Sequence, residues 1–158
     1  MKVIAINGSP HKNGNTSQTL QLVLDELQKL GIETEIIHVG DKHLYGCVAC
    51  GGCKTKIGAC SLGEDGLNDA IERIREADGI ILGSPVHFSG ITGAMKCFCD
   101  RLAYVAGSDP SILYHKVGAA VIAVRRTGGS ASLDSLMHYL TYHEMIIASS
   151  NYWNIIHG

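Results

Sequence analysis

Four of the six cysteines crowd into one short stretch, Cys47-x2-Cys50-x2-Cys53-x6-Cys60. The chain opens Met1-Lys2-Val3-Ile4-Ala5-Ile6 and meets Gly8 at once, with no signal-peptide pattern, so a reducing, cytoplasmic setting is expected. In that setting such a cluster signals metal or redox chemistry rather than a disulfide framework. Three thiolates at spacing three on a Gly-containing loop can cap one face of an iron–sulfur cubane, and a fourth a few residues on can complete it. The bacterial ferredoxin run is similar, but here six residues rather than three precede the last cysteine and no Pro follows it. Zinc is a second reading, although structural zinc sites more often use two separated Cys pairs. Reduced thiols or a labile disulfide are a third. Cys97 and Cys99 fall two apart in a helical stretch, on different faces, and read as packing residues.

A second stretch is rich in anion donors: Asn7-Gly8-Ser9-Pro10-His11-Lys12-Asn13-Gly14-Asn15-Thr16-Ser17. It follows an apolar run and opens a helix, where free backbone N–H groups and the helix dipole attract a phosphate. Ser9, Thr16 and Ser17 add hydroxyls, Asn15 adds an amide and His11 is a further candidate contact. The loop lacks the Gly-Lys-Ser/Thr of a Walker A motif, the Gly-x-Gly-x-x-Gly of a dinucleotide fold and the cysteine of a phosphatase loop. A plain capped turn would explain one Ser-Pro or Asn-Thr pair but not the whole run of donors.

Both stretches need a scaffold. Lys2 to Ile6 reads as a buried strand and Asn15 to Leu30 as a helix ended by Gly31. Ile32 to Val39 alternates like a half-buried edge strand. Residues 40–65 form a long cysteine-rich loop, of a length usually reserved for function or disorder. Helices follow over Gly66–Glu76, Thr92–Val105 and Ser130–His143, and strands over Gly79–Gly83, Val117–Val124 and Met145–Ser149. Ala106 to His115 reads as a polar loop. Strands alternating with helices imply right-handed crossovers and a parallel sheet. The expected fold is one α/β domain over 1–158, a flavodoxin-like doubly wound five-stranded parallel sheet in the order 2-1-3-4-5. In that order a ligand lies at the crevice between strands one and three, where flavodoxin, a stock example of the rule, holds FMN. A closing helix is missing after the fifth strand, and truncation is the expected reason, with an oligomer covering the gap as the alternative.

The phosphate loop, with Gly8-Ser9-Pro10 and Gly14-Asn15-Thr16, resembles that of the NADPH-dependent FMN reductase family. The resemblance continues through Gly83-Ser84-Pro85-Val86-His87-Phe88-Ser89-Gly90, Thr92-Gly93-Ala94-Met95-Lys96 and Asp100-Arg101-Leu102. It ends with Val124-Arg125-Arg126-Thr127-Gly128-Gly129 and Asn151-Tyr152-Trp153-Asn154, so it spans nearly the whole chain. It implies FMN, with its phosphate on Ser9, His11, Asn15, Thr16 and Ser17 and its ring edge on Pro85, Val86, His87, Phe88, Ser89 and Gly90. The family usually has Tyr where this chain has His87, so stacking passes to His87 or to Phe88, and Phe88 reads equally well as a core residue. Arg125 and Gly128 would reach the pyrimidine end, where a guanidinium stabilises reduced, anionic flavin; an exposed ion pair is the other reading of Arg125 and Arg126. Lys96, Asp100 and Arg101 read as a structural ion pair.

The cysteine spacing resembles the iron–sulfur flavoproteins, a branch of the same family with a 4Fe–4S cluster on this loop. The implied activity is oxidoreduction without a catalytic acid or base: hydride passes from NAD(P)H to the flavin N5 and onward to a small-molecule or protein acceptor such as a ferredoxin. A non-enzymatic electron carrier is the alternative. Simple flavodoxins are strongly acidic, whereas the net charge here is −2, which also argues against nucleic-acid partners and a polybasic membrane patch. A homodimer or homotetramer is expected from the family.

Overall fold

Five parallel strands are hydrogen-bonded side by side in the order β2-β1-β3-β4-β5, with a sixth beside β4. The computed structural model describes residues 1–158. β1 (Lys2–Asn7), β3 (Gly79–Pro85) and β4 (Val117–Val124) lie in the middle and are buried almost throughout. β2 (Glu33–His38) is an edge strand and only half-buried. This is the expected difference between a strand covered on both faces and one at a rim.

Alternation along the strands divides the core. Ile4, Ile6, Ile80, Leu82, Ala120, Ile122 and Val124 face the larger cluster. There they meet α3 (Leu67–Arg75), α4 (Gly93–Ser108) and α5 (Gly129–Tyr142) through side chains such as Ile71, Phe98 and Leu136. Ala5, Ile81 and Val121 face the other way and meet Leu20 and Leu24 of α1 (Asn15–Lys29). Gly31, at φ +76°, closes α1 as the sequence predicts. No helix is long and apolar enough to cross a membrane.

Three expectations need correction. The fifth strand is only β5 (Ile146–Ile147), paired with Val117 and Gly118. The chain then leaves the sheet and returns as β6 (Ile155–His157), parallel to Ile122–Val124. Ser149, Ser150 and Asn151 offer no apolar face to the sheet, and in the gap the Asn154 amide donates to Ala120 O at 3.2 Å. Second, the cysteine loop contains a short helix, α2 (Gly52–Thr55). Third, α4 runs on to Ser108, and a 3-10 turn at Pro110–Ile112 in the supposed polar loop buries Ile112 and Leu113.

Candidate functional site

The carboxyl ends of β1, β3 and β4 open into one cavity of about 260 Å³. The β1 loop contributes Ser9, His11, Gly14, Asn15 and Thr16. The β3 loop contributes Pro85, Val86 and His87, and the β4 end Ala123, Val124 and Arg125. Gly158 closes the wall, its N–H donating to Val124 O at 3.1 Å. The N-cap of α1 is Gly14, which brings no side-chain acceptor, so the first-turn N–H groups at Asn15 and Thr16 meet the cavity uncapped. Free N–H groups at a helix N-terminus are the kind of donors that suit an anion.

The loop is held from three sides. Asn7 Oδ1 accepts from Ser9 N at 3.0 Å, and Ser9 Oγ accepts from His11 N at 3.1 Å. His38 Nε2 lies 2.7 Å from Ser9 O. Thr92, the N-cap of α4, accepts from Met95 N at 3.2 Å and donates to Gly8 O at 2.7 Å. Gly40 passes so close that a Cβ there would sit 2.0 Å from Ser9 O. The buried Asn7 Nδ2 has no partner within the protein.

Beyond β3 the chain makes a tight turn in which His87 and Gly90 exchange both backbone hydrogen bonds, at 2.8 and 3.0 Å. Its two central residues are not glycines, yet Phe88 has φ +50° and Ser89 +61°. Two adjacent left-handed residues are strained, and such strain gathers at functional sites. Phe88 is fully exposed at the tip, which overturns its reading as a core residue. Gly128, at φ +88°, packs against this turn: a Cβ would lie 2.6 Å from Ser89 Cα. Ser17, Phe88, Ser89, Gly90 and Gly128 are thus outside the cavity wall, while the other eight predicted contacts line it. Gly14, Ala123, Val124 and Gly158 also line it but were not among the predicted contacts. Gly158 carried no signal, because it is brought there by β6.

The cysteine loop packs on the side of α4. Cys47, Cys50, Cys53 and Cys60 all line one small cavity, together with Leu62, Arg101, Tyr104 and Val105. No disulfide joins any of the six cysteines. No three His, Cys, Asp or Glu side chains converge on a single metal position. A zinc site needs that convergence, with every sulfur about 2.3 Å from one ion. A cubane does not, because each cysteine there binds a different iron.

Helix α4 separates two roles that its sequence had merged. Lys96 Nζ pairs with Asp100 at 2.5 and 2.7 Å, as spacing four predicts, and Tyr139 donates to the same carboxylate. Burial and Asp100 push the Tyr139 hydroxyl up to about 12. Arg101 belongs to neither: it turns into the core, pairs with Asp65 and reaches Cys60. Burial alone would raise the Asp65 carboxyl, but the Arg101 hydrogen bond and charge hold it below the usual range. Spacing rules could not find this pair, whose partners are 36 residues apart. Burial, then the Asp100 charge, push the Cys99 thiol up, so it stays protonated, as suits a packing residue.

The sheet order and its helices define a flavodoxin-like fold. The profile of the NADPH-dependent FMN reductase family matches residues 1–158. An iron-sulfur flavoprotein of Methanocaldococcus jannaschii is 37% identical over 153 residues, which is 96% of this chain and 77% of that protein. Another, from Archaeoglobus fulgidus, is 36% identical over 151 residues, 94% of this chain and 73% of that protein. Among solved structures, a flavodoxin from the domain Archaea superposes with a TM-score of 0.66 at 15% identity, covering 99% of this chain and 85% of the other. The chain belongs to the NADPH-dependent FMN reductase family and is an FMN-dependent oxidoreductase.

Proposed function

We propose that the cavity at the ends of β1, β3 and β4 holds the FMN, and that Cys47, Cys50, Cys53 and Cys60 carry a 4Fe–4S cluster. The observation that carries the first reading is the uncapped α1 N-terminus opening into a cavity walled by the β3 and β4 loops. Asn15, Thr16 and Ser9 bind the phosphate, with His11 and Ser17 at its margin. Pro85, Val86 and His87 border the ring, Arg125 offers positive charge to its pyrimidine end, and Phe88, Ser89, Gly90 and Gly128 shape the rim. The unpartnered Asn7 amide lies at the foot of the phosphate loop and favours a polar ligand there.

When bound, FMN accepts a hydride from NAD(P)H and releases electrons singly, and a cluster would take them one at a time. The protein needs no proton-transferring side chain for this. Its residues bind, orient and tune. The cluster reading rests on the four cysteines sharing one cavity and on the likeness to iron-sulfur flavoproteins. The electron acceptor is a small molecule or a one-electron protein such as a ferredoxin, in a cytoplasm that keeps the thiols reduced. The thin core on the α1 face favours a homodimer or homotetramer, which light scattering would measure.

The FMN site is tested by Asn15→Ala with Thr16→Val. Two lost hydrogen bonds to a charged phosphate, each worth about 1.5–3 kcal/mol, should weaken FMN binding at least about a hundredfold. A double variant that still copurifies with full FMN would refute the assignment. Rapid NAD(P)H oxidation by the wild type distinguishes an enzyme from a passive carrier.

A further inference from the structure

Arg101 is the only lysine or arginine buried in the protein, with 1% of its surface exposed. Its Nη2 donates to Leu62 O at 2.7 Å and its Nη1 to Tyr45 O at 3.3 Å, and Nη1 also meets the Asp65 carboxylate. Its Nε donates to Cys60 Sγ at 3.3 Å. The same sulfur accepts from Leu62 N at 3.5 Å. One guanidinium thus ties both ends of the cysteine loop to α4 and places a charged donor on the sulfur of one of the four cysteines that line the cavity.

A buried guanidinium is costly unless paired, and Asp65 supplies the pairing. The neutral carbonyls and the sulfur are additional, and they make use of the planar fork that lysine lacks. We infer that Arg101 is a positioning residue that fixes Cys60 as a cluster ligand and raises the reduction potential of the cluster through the Nε–H···Sγ bond. This rests on the cluster reading above.

The direction follows from charge. Reduction adds one electron to the cluster, with no bond broken and no proton taken up, and leaves the ligand sulfurs more negative. A charged donor is held more strongly by a more negative acceptor, so the bond favours the reduced form.

The test compares wild type with Asp65→Asn/Arg101→Gln, which removes both charges and leaves the net charge unchanged. Both proteins, with FMN bound, are loaded anaerobically with ferrous iron and sulfide. They are then titrated with dithionite while electron paramagnetic resonance follows the cluster. The double variant should show about tenfold less reduced cluster at a fixed potential, equivalent to about 59 mV for one electron. Loss of iron with FMN content and far-ultraviolet circular dichroism unchanged would support the positioning role. Full loading with the wild-type potential would overturn the inference. If the double variant does not fold, Arg101→Lys carries the test: a lowered potential or lowered iron content is expected, and wild-type values for both would overturn it. Wild type that takes up no iron and sulfide would instead remove the cluster reading itself.

Discussion

Replacing Thr92 with Val should damage both stability and flavin binding, because one hydroxyl joins the phosphate loop to α4. Thr92 is buried; its Oγ1 donates to Gly8 O at 2.7 Å and caps α4 by accepting from Met95 N at 3.2 Å. Val keeps the shape and removes both bonds. A buried carbonyl left without its donor costs about 1–3 kcal/mol. Loss of the cap costs about 1 kcal/mol more. The expected total is about 2–4 kcal/mol, which for a domain of this size lowers Tm by roughly 4–16 °C. Urea unfolding of the flavin-free protein at pH 7 would measure it. Titration with FMN should show Kd rising by about tenfold for each 1.4 kcal/mol by which the loop's competent state is depopulated. Thr92→Ser, which keeps both bonds, should recover most of the loss. If Thr92→Val unfolds within about 0.5 kcal/mol of wild type and binds FMN equally well, the clasp has no such role.

Other expectations follow from the rim and the surface pairs. Gly128→Ala places a Cβ 2.6 Å from Ser89 Cα at φ +88°, and should cost about 1–3 kcal/mol and weaken FMN binding, read by thermal melting and fluorescence titration. Phe88→Asn with Ser89→Gly suits the left-handed pair of the turn and should raise stability by about 1–2 kcal/mol; no gain would mean that the turn is not strained. Ser111 hydrogen bonds and the Arg75 charge hold the Asp109 carboxyl below its usual range, so the folded state favours the ionised form. Its stabilisation is full above the unfolded value, near 4, and is lost as pH falls through the lower folded value. Asp109→Asn should therefore be less stable than wild type at pH 7, and in urea titrations the difference should shrink as pH falls below the unfolded value.

The sheet and the loop between β1 and α1 were legible because local signals set them. The apolar runs of β1, β3 and β4, Gly31 after α1 and the donor-rich turn before Asn15 each act within a few residues. The fifth strand position was not legible, because it is filled by two short pieces with polar chain between them, and a three-residue strand has no period to detect. Phe88 stayed open between a ring contact and a core residue because its type suits either, whereas the turn that holds it outside depends on the exchange between His87 and Gly90. Arg101 reads in the sequence as part of a structural ion pair because Lys96, Asp100 and Arg101 share one helix at spacings of four and five. Its real partners, Asp65, Leu62 and Cys60, come from a loop whose path only the fold defines.

An anaerobic absorbance spectrum of the purified protein, with FMN, iron and acid-labile sulfide quantified on the same sample, tests the two-centre account most directly. The account predicts a two-band flavin spectrum over a broad shoulder that dithionite bleaches, with about four irons and four sulfides per FMN. Flavin with negligible iron would contradict the cluster and leave an FMN reductase with a thiol loop. Absence of flavin even after incubation with FMN would contradict the site built at the ends of β1, β3 and β4.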